Sequence, residues 1–440
     1  MPADPTPAST APEKKPGIVE WYAAVVLMLV WVLSYIDRAL PFILVQSIKR
    51  DLGLSDTEIG LISGLMFAFV FAVMGFPLAT LIDRWKRKMV LGWAIIVWSA
   101  MTVLGGFAGT FWQFGFTRLG VATGEAAVAP ATHSMIGAYF TQQYRGRAIA
   151  LFLLGAPLGT LLGLLLGGWI NEVANWRTAL FLVGAPGAIL ALLVFFTLKE
   201  PPKPPATGLP PEARASVAIA LKAFFSSPGL VSMLAAMILT GLSMSAFGAF
   251  TSAYLIRKFH MATSEIGFLF GLCSAAAGLI GTALGGLAAD RFRRNNRAGA
   301  LVVVGILLFG GAVCGLLALR SHSYAIFLAW ILPMQIAGFF QGPPTIAVMQ
   351  NNIPPRTYAI GGVIYLFAFS GIGGSLGPIV TGMLSDRFAG PDPAESLRIA
   401  LFILVLPYFL ATALFLLGGY LLRRSALRAS GAPMLHPASV

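Results

Sequence analysis

Four ionisable side chains lie inside apolar runs that are long enough to cross a membrane. Asp37 and Arg38 fall in the first run, and Arg118 and Glu125 fall in the fourth. An ionisable group in hydrocarbon costs at least about 2.5–3.5 kcal/mol, so it usually faces a cavity or a partner. Arg118 and Glu125 are seven residues apart, which places them on one face of a helix. We expect Arg118 to lie between the carboxylates of Asp37 and Glu125.

Such a triad can couple a proton to a change of conformation. Protonation of Asp37 or Glu125 weakens the attraction of that carboxyl for Arg118 and so changes which helices attract each other. The alternative is a permanent ion pair that only holds two helices together. A buried ion pair is weak evidence for a stabilising role, because apolar side chains often serve as well. The sequence therefore predicts proton coupling by these three residues.

Other polar side chains are candidates for a substrate cavity. Arg38 points about 100° away from Asp37 around the helix, toward either an anionic substrate group or the membrane surface. His133, eight residues after Glu125, is either a second proton site or a helix-packing residue. The candidates in the second half of the chain are uncharged, and each could instead form helix–helix hydrogen bonds. They are Tyr254, Gln335, Gln341 and Tyr365.

The composition identifies the elements that position these residues as membrane helices. Hydrophobic residues make up 57% of the 440 residues and charged residues only 11%, whereas soluble domains carry about 25% charged residues. Continuous apolar runs of about 20 residues each match the length of a transmembrane helix. The predicted fold is an all-α polytopic membrane protein with about twelve transmembrane helices in two six-helix halves. The runs start near Trp21 (to about Val45) and continue at about 57–82, 89–108, 111–139, 147–171, 177–198, 229–256, 264–289, 298–319, 324–350, 358–385 and 397–422.

The cationic residues predict the orientation. Of the 30 Lys and Arg residues, twenty fall in the two tails and the loops on their side of the membrane, and eight on the other side. Because cations accumulate on the cytoplasmic side, both termini are predicted to be cytoplasmic. The excess of cations follows the topology, so the +13 net charge implies no nucleic-acid partner.

We predict a disordered tail at 1–19, a first half at 20–198, a cytoplasmic linker at 199–227, a second half at 228–424 and a tail at 425–440.

The two halves share motifs at a constant offset. The sequence Ser-Asp-Thr-Glu58-Ile-Gly recurs 207 residues later as Ala-Thr-Ser-Glu265-Ile-Gly, and the Asp83-Arg84 loop recurs at the same offset as Asp290-Arg291. Ser55 and Glu58 fit a capping box. A carboxylate at the end of a span can accept hydrogen bonds from the amino end of a neighbouring helix. The loops could therefore latch the halves together, or they could only fix the topology. The candidate latch residues are Asp83, Arg84, Arg87, Asp290 and Arg291.

The Asp-Arg-basic loops resemble the signature loop of the major facilitator superfamily, although Ala79 and Lys86 stand where that signature has glycine. The glycines in Gly155-Ala-Pro-Leu-Gly159 and Gly373-Gly-Ser-Leu-Gly377 resemble its packing motif. The run from Arg118 to Glu125 resembles its Arg-containing motif in the fourth span. The resemblance covers nearly the whole chain, and it implies two six-helix halves around a midplane site.

Within that superfamily, Tyr35-Ile-Asp37-Arg38 and Gly124-Glu125-Ala resemble the spinster family of lipid transporters, and so do Trp98-Ser99 and Trp176-Arg177. The resemblance implies a proton-coupled carrier of an amphipathic lipid such as a lysophospholipid or sphingolipid. The branch of organic-anion carriers that includes sialic-acid and hexuronate transporters shares the arginine in the fourth span. Proton-coupled transport of a small organic anion is therefore the alternative.

The sequence gives little support for an enzymatic function. Gly373-Gly-Ser375-Leu-Gly377 matches Gly-x-Ser-x-Gly, but that motif needs a strand-to-helix turn. The sequence contains no phosphate-binding Gly-x-x-x-x-Gly-Lys-Ser/Thr and no cluster of metal ligands, so we predict no catalytic residues, metal site or cofactor. The predicted partners are the substrate, protons and membrane lipids. The predicted location is a bacterial inner membrane, with the protein as a monomer.

Overall fold

The structure is a computed structural model that describes residues 15–200, 217–295, 299–354 and 357–430. Within those ranges, eleven helices are long and apolar enough to cross a membrane. We number them by the predicted order of spans. They are span 1 (Ile18–Leu52), span 2 (Asp56–Ile82), span 3 (Arg87–Gly105), span 5 (Gln143–Val173), span 6 (Trp176–Thr197), span 7 (Pro228–Phe259), span 8 (Thr263–Phe292), span 9 (Gly299–Leu319), span 10 (Tyr324–Asn352), span 11 (Ile360–Arg387) and span 12 (Pro393–Ser425).

The predicted fourth span is present as two short helices, Phe111–Glu125 and Val128–Tyr139. A turn at residues 126–127 separates them, and both residues of that turn keep right-handed helical backbone angles. We call the pair span 4. A further short helix, Val217–Phe225, precedes span 7. The predicted all-helical membrane fold is confirmed, whereas most of the predicted tails and residues 201–216 of the linker lie outside the described residues.

Glycines bring the helices of each half into close contact. A Cβ atom on Gly155 or Gly159 of span 5 would come within 2.8 Å or 2.4 Å of a span 1 carbonyl oxygen. In the second half, Gly373 and Gly377 of span 11 lie against carbonyl oxygens of span 7 in the same way, at 2.3 Å and 2.2 Å. The glycine pattern therefore has an equivalent packing role in each half, as small residues commonly do between membrane helices.

Spans 2 and 11 each contain a π-helical segment. The segments are Gly64–Phe69 in span 2 and Phe367–Gly374 in span 11. They meet between the two halves, where the rings of Phe69 and Phe367 are 6.5 Å apart. Such wide turns are rare and often occur at functional sites. One segment belongs to each half, and the two segments face each other where the halves meet.

Candidate functional site

A cavity of about 330 Å³ lies between the halves. Its walls are mostly aromatic and aliphatic, and Arg38 is the only charged residue among the described residues that line it. The uncharged polar groups are side chains of both halves. They are Tyr35, Ser63, Thr160, Ser245, Ser274, Gln335, Ser370 and Tyr408. A largely apolar chamber with a few placed polar groups has the general character of a small-molecule site.

Arg38 connects this cavity to a buried carboxylate. Its Nε donates a hydrogen bond to Oε2 of Glu125 at 2.6 Å. The guanidinium also lies over the Tyr35 and Phe71 rings, at 4.9 Å and 4.3 Å from their centroids. Its Nη2 is buried without a hydrogen-bond partner. Arg38 is therefore held on one side and has donor capacity left on the other.

Glu125 and Asp37 are both buried carboxylates with one oxygen unpaired. Glu125 Oε2 accepts from the Ser34 hydroxyl at 2.9 Å as well as from Arg38, while its Oε1 has no partner. Asp37 Oδ1 accepts from the Thr102 hydroxyl at 3.1 Å, and its Oδ2 has no partner. A buried charge needs full hydrogen bonding to offset its loss of hydration. Both carboxyls are therefore poorly satisfied in the ionised form.

Arg118 forms no direct ion pair with Asp37 or Glu125 in this conformation, although its charge lies within electrostatic range of both carboxyls. No carboxylate oxygen of the described residues lies within 4.0 Å of its nitrogens, and the guanidinium instead lies 4.8 Å from the centre of the Phe67 ring. Ser34 and Arg38 are four residues apart on one face of span 1, so both can reach Glu125. Asp37 points away from that face toward Thr102 in span 3.

The predicted cavity residues are divided between the cavity and the helix-packing core. Arg38 and Gln335 line the cavity. Tyr365 is buried, with its hydroxyl 3.0 Å from the Thr345 hydroxyl oxygen, and Gln341 is also buried. Neither side chain is among the described residues that line the cavity in this conformation.

Tyr254 and His133 also lie away from the cavity. Tyr254 is fully buried, with its ring 5.5 Å from the Phe327 ring, so its prediction as a cavity residue is incorrect for this conformation. Aromatic packing encloses the whole side chain. His133 is exposed in the second helix of span 4 and packs edge-on against Phe152 at 5.7 Å.

We call the end of the bundle where span 1 begins the terminal end, and the other the opposite end. At the opposite end Asp386 of span 11 joins the two halves. Its carboxylate accepts from the backbone N–H groups of Asp56 at 3.1 Å and Thr57 at 2.7 Å, and from the Thr57 hydroxyl. Asp386 therefore caps the first turn of span 2 from the other half, where an anion is favoured by the helix dipole.

The Asp56 side chain forms the second part of this junction. Its two oxygens accept from both terminal nitrogens of Arg257 in span 7, at 2.6 Å and 2.8 Å. Lys49 and Ser385 also donate to it, at 2.5 Å and 2.7 Å. Paired geometry of this kind is the strong form of a charge-assisted bond. The Asp56 carboxylate is thus satisfied by residues of both halves.

A further contact joins spans 5 and 8 at the same end. The Thr263 hydroxyl donates to the Gly168 carbonyl at 3.0 Å, and the Ser264 N–H donates to Glu172 at 3.2 Å. The hydrogen bonds of Asp386, Asp56, Thr263 and Ser264 thus join the halves at the opposite end. The halves are closed against each other there.

The predicted latch residues lie at the terminal end. Arg84, Asp290 and Arg291 are exposed, and Arg87 is buried within the first half. The side chain of Asp83 lies outside the described residues. The carboxylate that caps a helix in this region is Glu200, which accepts from the N–H groups of Arg87 at 2.9 Å and Lys88 at 3.1 Å.

The sequence interpretation missed the junction around Asp386, although a signal was present. Ser385-Asp386-Arg387-Phe388 ends span 11 with the same Asp-Arg-aromatic pattern as Asp83-Arg84-Trp85 and Asp290-Arg291-Phe292. The predicted capping box at Ser55 is confirmed, because Glu58 N–H donates to Ser55 Oγ and Ser55 N–H donates to Glu58. That box marks the same helix start that Asp386 caps.

Comparison with known proteins agrees with this architecture. The profile of the Major Facilitator Superfamily matches residues 27–378. The chain belongs to the Major Facilitator Superfamily. Its members are transporters, so no catalytic activity is indicated by the family. The predicted superfamily is thereby confirmed, and the spinster resemblance is supported by the relatives described next.

The relatives have different stated activities. An MFS-type efflux pump of Mycolicibacterium smegmatis is 33% identical, with 88% of this chain and 89% of that protein aligned. The sphingosine-1-phosphate transporter SPNS2 of Danio rerio is 24% identical over 88% of this chain and 82% of that protein. The probable galactarate/D-glucarate transporter GudP of Bacillus subtilis is 24% identical over 86% and 88%.

A solved structure has the same overall arrangement. It is the crystal structure of a bacterial homologue of the human lysosomal transporter spinster, described as inward-facing and unoccupied. The TM-score is 0.85 at 25% identity, and the alignment covers 96% of this chain and 100% of that one. The likeness extends over both halves and includes the spans that form the cavity.

Proposed function

We propose that this protein is a proton-coupled carrier that moves an amphipathic lipid, such as a lysophospholipid or sphingolipid, by alternating access. The observation that carries the proposal is the cavity between the halves, which has mostly apolar walls and the single cation Arg38. Apolar walls favour an alkyl chain. A guanidinium favours a phosphate or carboxylate head group. Similarity to SPNS2 and to the spinster homologue supports the same substrate class.

Alternating access follows from the closed junction at the opposite end. We propose that the terminal end faces the cytoplasm, because the cationic loops and tails are on that side. The cavity would then exchange substrate with the cytoplasmic side in this conformation. Opening to the other side requires Asp386 to leave the amino end of span 2 and Arg257 to leave Asp56. We expect the Asp83 and Asp290 loops to hold the terminal end together in that second state.

Proton coupling would act through competition for Arg38. An anionic head group in the cavity competes with Glu125 for the guanidinium. When Arg38 turns toward the substrate, Glu125 keeps only the Ser34 hydroxyl as a partner, and a proton then relieves its buried charge. Substrate and proton binding are thereby linked, and the linkage is reciprocal. Asp37 provides a second proton site within electrostatic range of Glu125 and Arg118.

Transport of a small organic anion is the second candidate, favoured by the similarity to GudP. In that case Arg38 would pair with a sugar-acid carboxylate. A polyhydroxylated substrate needs many hydrogen-bonding groups, because each unpaired polar group left in the cavity costs free energy. The cavity wall is mostly apolar, and this favours the lipid.

A chain-length series distinguishes the two candidates. Lysophospholipids of one head group and increasing chain length should bind the purified protein more tightly by about 0.8 kcal/mol per buried methylene. Galacturonate and glucarate should bind weakly. Isothermal titration in one detergent, with Arg38→Gln as the matched variant, measures both. Tight sugar-acid binding together with no dependence on chain length would favour the organic-anion carrier.

A further inference from the structure

A second hollow, separate from the central cavity, lies on the outside of the first half. It has a volume of about 680 Å³ and is lined by spans 2, 3 and 4 and by the loop between spans 2 and 3. We call it the trough. The lining residues that matter here are Arg84, Trp85, Lys86, Trp93, Val97 and Thr123. Span 3 packs against spans 4 and 6 of its own half, so the trough faces away from the other half.

The trough has one polar end and one apolar end. Arg84 and Lys86 are exposed at the terminal end, next to Trp85, which is 63% exposed. Trp93 and Val97, further along span 3, are also exposed although they are apolar. Tryptophan next to cationic side chains is typical of the membrane–water interface.

The depth of the trough matches one membrane leaflet. Val97 is eleven residues after Lys86, which corresponds to roughly 16 Å along a helix at 1.5 Å per residue. The hydrocarbon core is about 30 Å thick, so one leaflet is about half of it. A lipid whose head group lies at Lys86 can therefore extend one chain along Trp93 to Val97 and Thr123.

We propose that the trough is a binding site for an anionic phospholipid of the surrounding leaflet. The phosphate contacts Lys86, and one acyl chain occupies the apolar part. The positive charge at the polar end of the trough favours an anionic over a zwitterionic lipid, since each cation at a membrane surface adds about 1 kcal/mol to the binding free energy of anionic lipid. The site is distinct from the transport cavity, and its occupancy does not depend on which substrate is carried.

Native mass spectrometry of the full chain tests this proposal. The protein is mixed with equal amounts of phosphatidylglycerol and phosphatidylcholine that carry the same chains. One phosphatidylglycerol should be retained in preference to phosphatidylcholine. Lys86→Gln should reduce the preference about fivefold, whereas Lys222→Gln, which removes a charge on the exposed face of the helix before span 7, should leave it unchanged.

A second pair of variants tests the acyl-chain position. Val97→Trp fills the trough and should abolish retention of that lipid. Leu417→Trp adds the same ring to a similarly exposed position of span 12 and should not. Equal retention of both lipids, unchanged retention in Val97→Trp, or a protein dimer in place of the lipid adduct would each overturn the proposal. Unaltered substrate binding in Lys86→Gln would separate this site from the transport cavity.

Discussion

Arg38 is the side chain that lines the cavity and also contacts the buried carboxylate of Glu125. It is packed among aromatic rings and bound to Glu125, so its position depends on the charge of that carboxyl. Asp37 is separate from this pair and bound to Thr102. The two carboxyls are therefore expected to have different roles, Glu125 in linking proton and substrate and Asp37 in the conformational step.

Glu125→Gln tests the first role. In the unmodified protein, binding of an anionic lysolipid should tighten as the pH falls, because protonation of Glu125 releases Arg38. Glutamine binds Arg38 without a charge, so the affinity for the lysolipid at high pH should rise about tenfold or more, as expected when a charged hydrogen bond of about 1.5–3 kcal/mol is lost. The affinity should also depend less on pH. Titration calorimetry at several pH values measures the affinity, with the exposed Glu265→Gln as control.

A retained pH dependence in Glu125→Gln would show that another group carries the linked proton. A protein that no longer folds would instead support a structural ion pair between spans 1 and 4. Thermal unfolding of the same samples separates these two results.

Asp37→Asn tests the second role. The amide keeps the shape of the carboxyl and can still accept from Thr102, so substrate binding should survive. Transport driven by a pH gradient should fall strongly, because a titrating group has been removed. Uptake into proteoliposomes with and without an imposed gradient is the measurement. Normal gradient-driven uptake would exclude Asp37 from coupling.

Among the helices, spans 2 and 11 are the pair whose contact closes the opposite end. Gly60 and Gly64 of span 2 lie directly against span 11, and Gly382 of span 11 lies against the start of span 2. The absence of side chains at these glycines lets the two backbones touch. The closed junction therefore depends on small residues as well as on the Asp386 cap.

Gly60→Ala should weaken that closure. A Cβ atom at residue 60 would lie 2.3 Å from the Pro378 carbonyl oxygen, and backbone cannot move aside as a flexible side chain can. Overpacking of this kind costs about 1–3 kcal/mol. Spin-label distances across the opposite end should therefore lengthen. Gly75→Ala is the matched control, because nothing lies within 4 Å of that position. An unchanged distance distribution in Gly60→Ala would contradict this account of closure.

In the molecule as a whole, the ionisable residues of the transport site are unequally distributed between the halves. Asp37, Arg118 and Glu125, which are buried, and Arg38, which lines the cavity, all belong to the first half, whereas the second half gives the cavity uncharged polar groups. We expect the first half to carry the proton chemistry and both halves to contact the substrate. We expect the side that carries the cationic loops, which the cavity reaches in this conformation, to be the cytoplasmic side.

The orientation can be tested directly. A single cysteine at Lys222, in a variant without Cys273 and Cys314, should react with an impermeant maleimide only in inverted vesicles or broken cells. The reason is that Lys222 is among the cationic residues on the side of the termini, which the distribution of charge assigns to the cytoplasm. A cysteine at Arg50, on the opposite end, is the control and should react in intact cells. The reverse pattern would overturn the proposed orientation.

Much of the fold follows from the sequence because membrane helices are local. A run of about 20 apolar residues forms a helix in lipid without a distant partner, since its backbone hydrogen bonds are satisfied internally. The spans and the capping box at Ser55 could therefore be predicted, and so could the burial of Asp37, Arg118 and Glu125 inside the helices. The interruption after Glu125 was not predicted, although Pro130 is a signal for it, because proline has no N–H to bond the carbonyl of residue 126.

Only the tertiary structure decided which of those charges meet. The sequence spacing favoured Arg118 as the partner of Glu125, but the rotation of span 1 turns Ser34 and Arg38 toward Glu125 and Asp37 toward Thr102. The junction of Asp56 with Arg257, 201 residues apart, likewise depends on how the halves are placed. Local patterns determine what forms a helix and which residues are costly to bury, whereas helix rotation and the packing of the halves determine their partners.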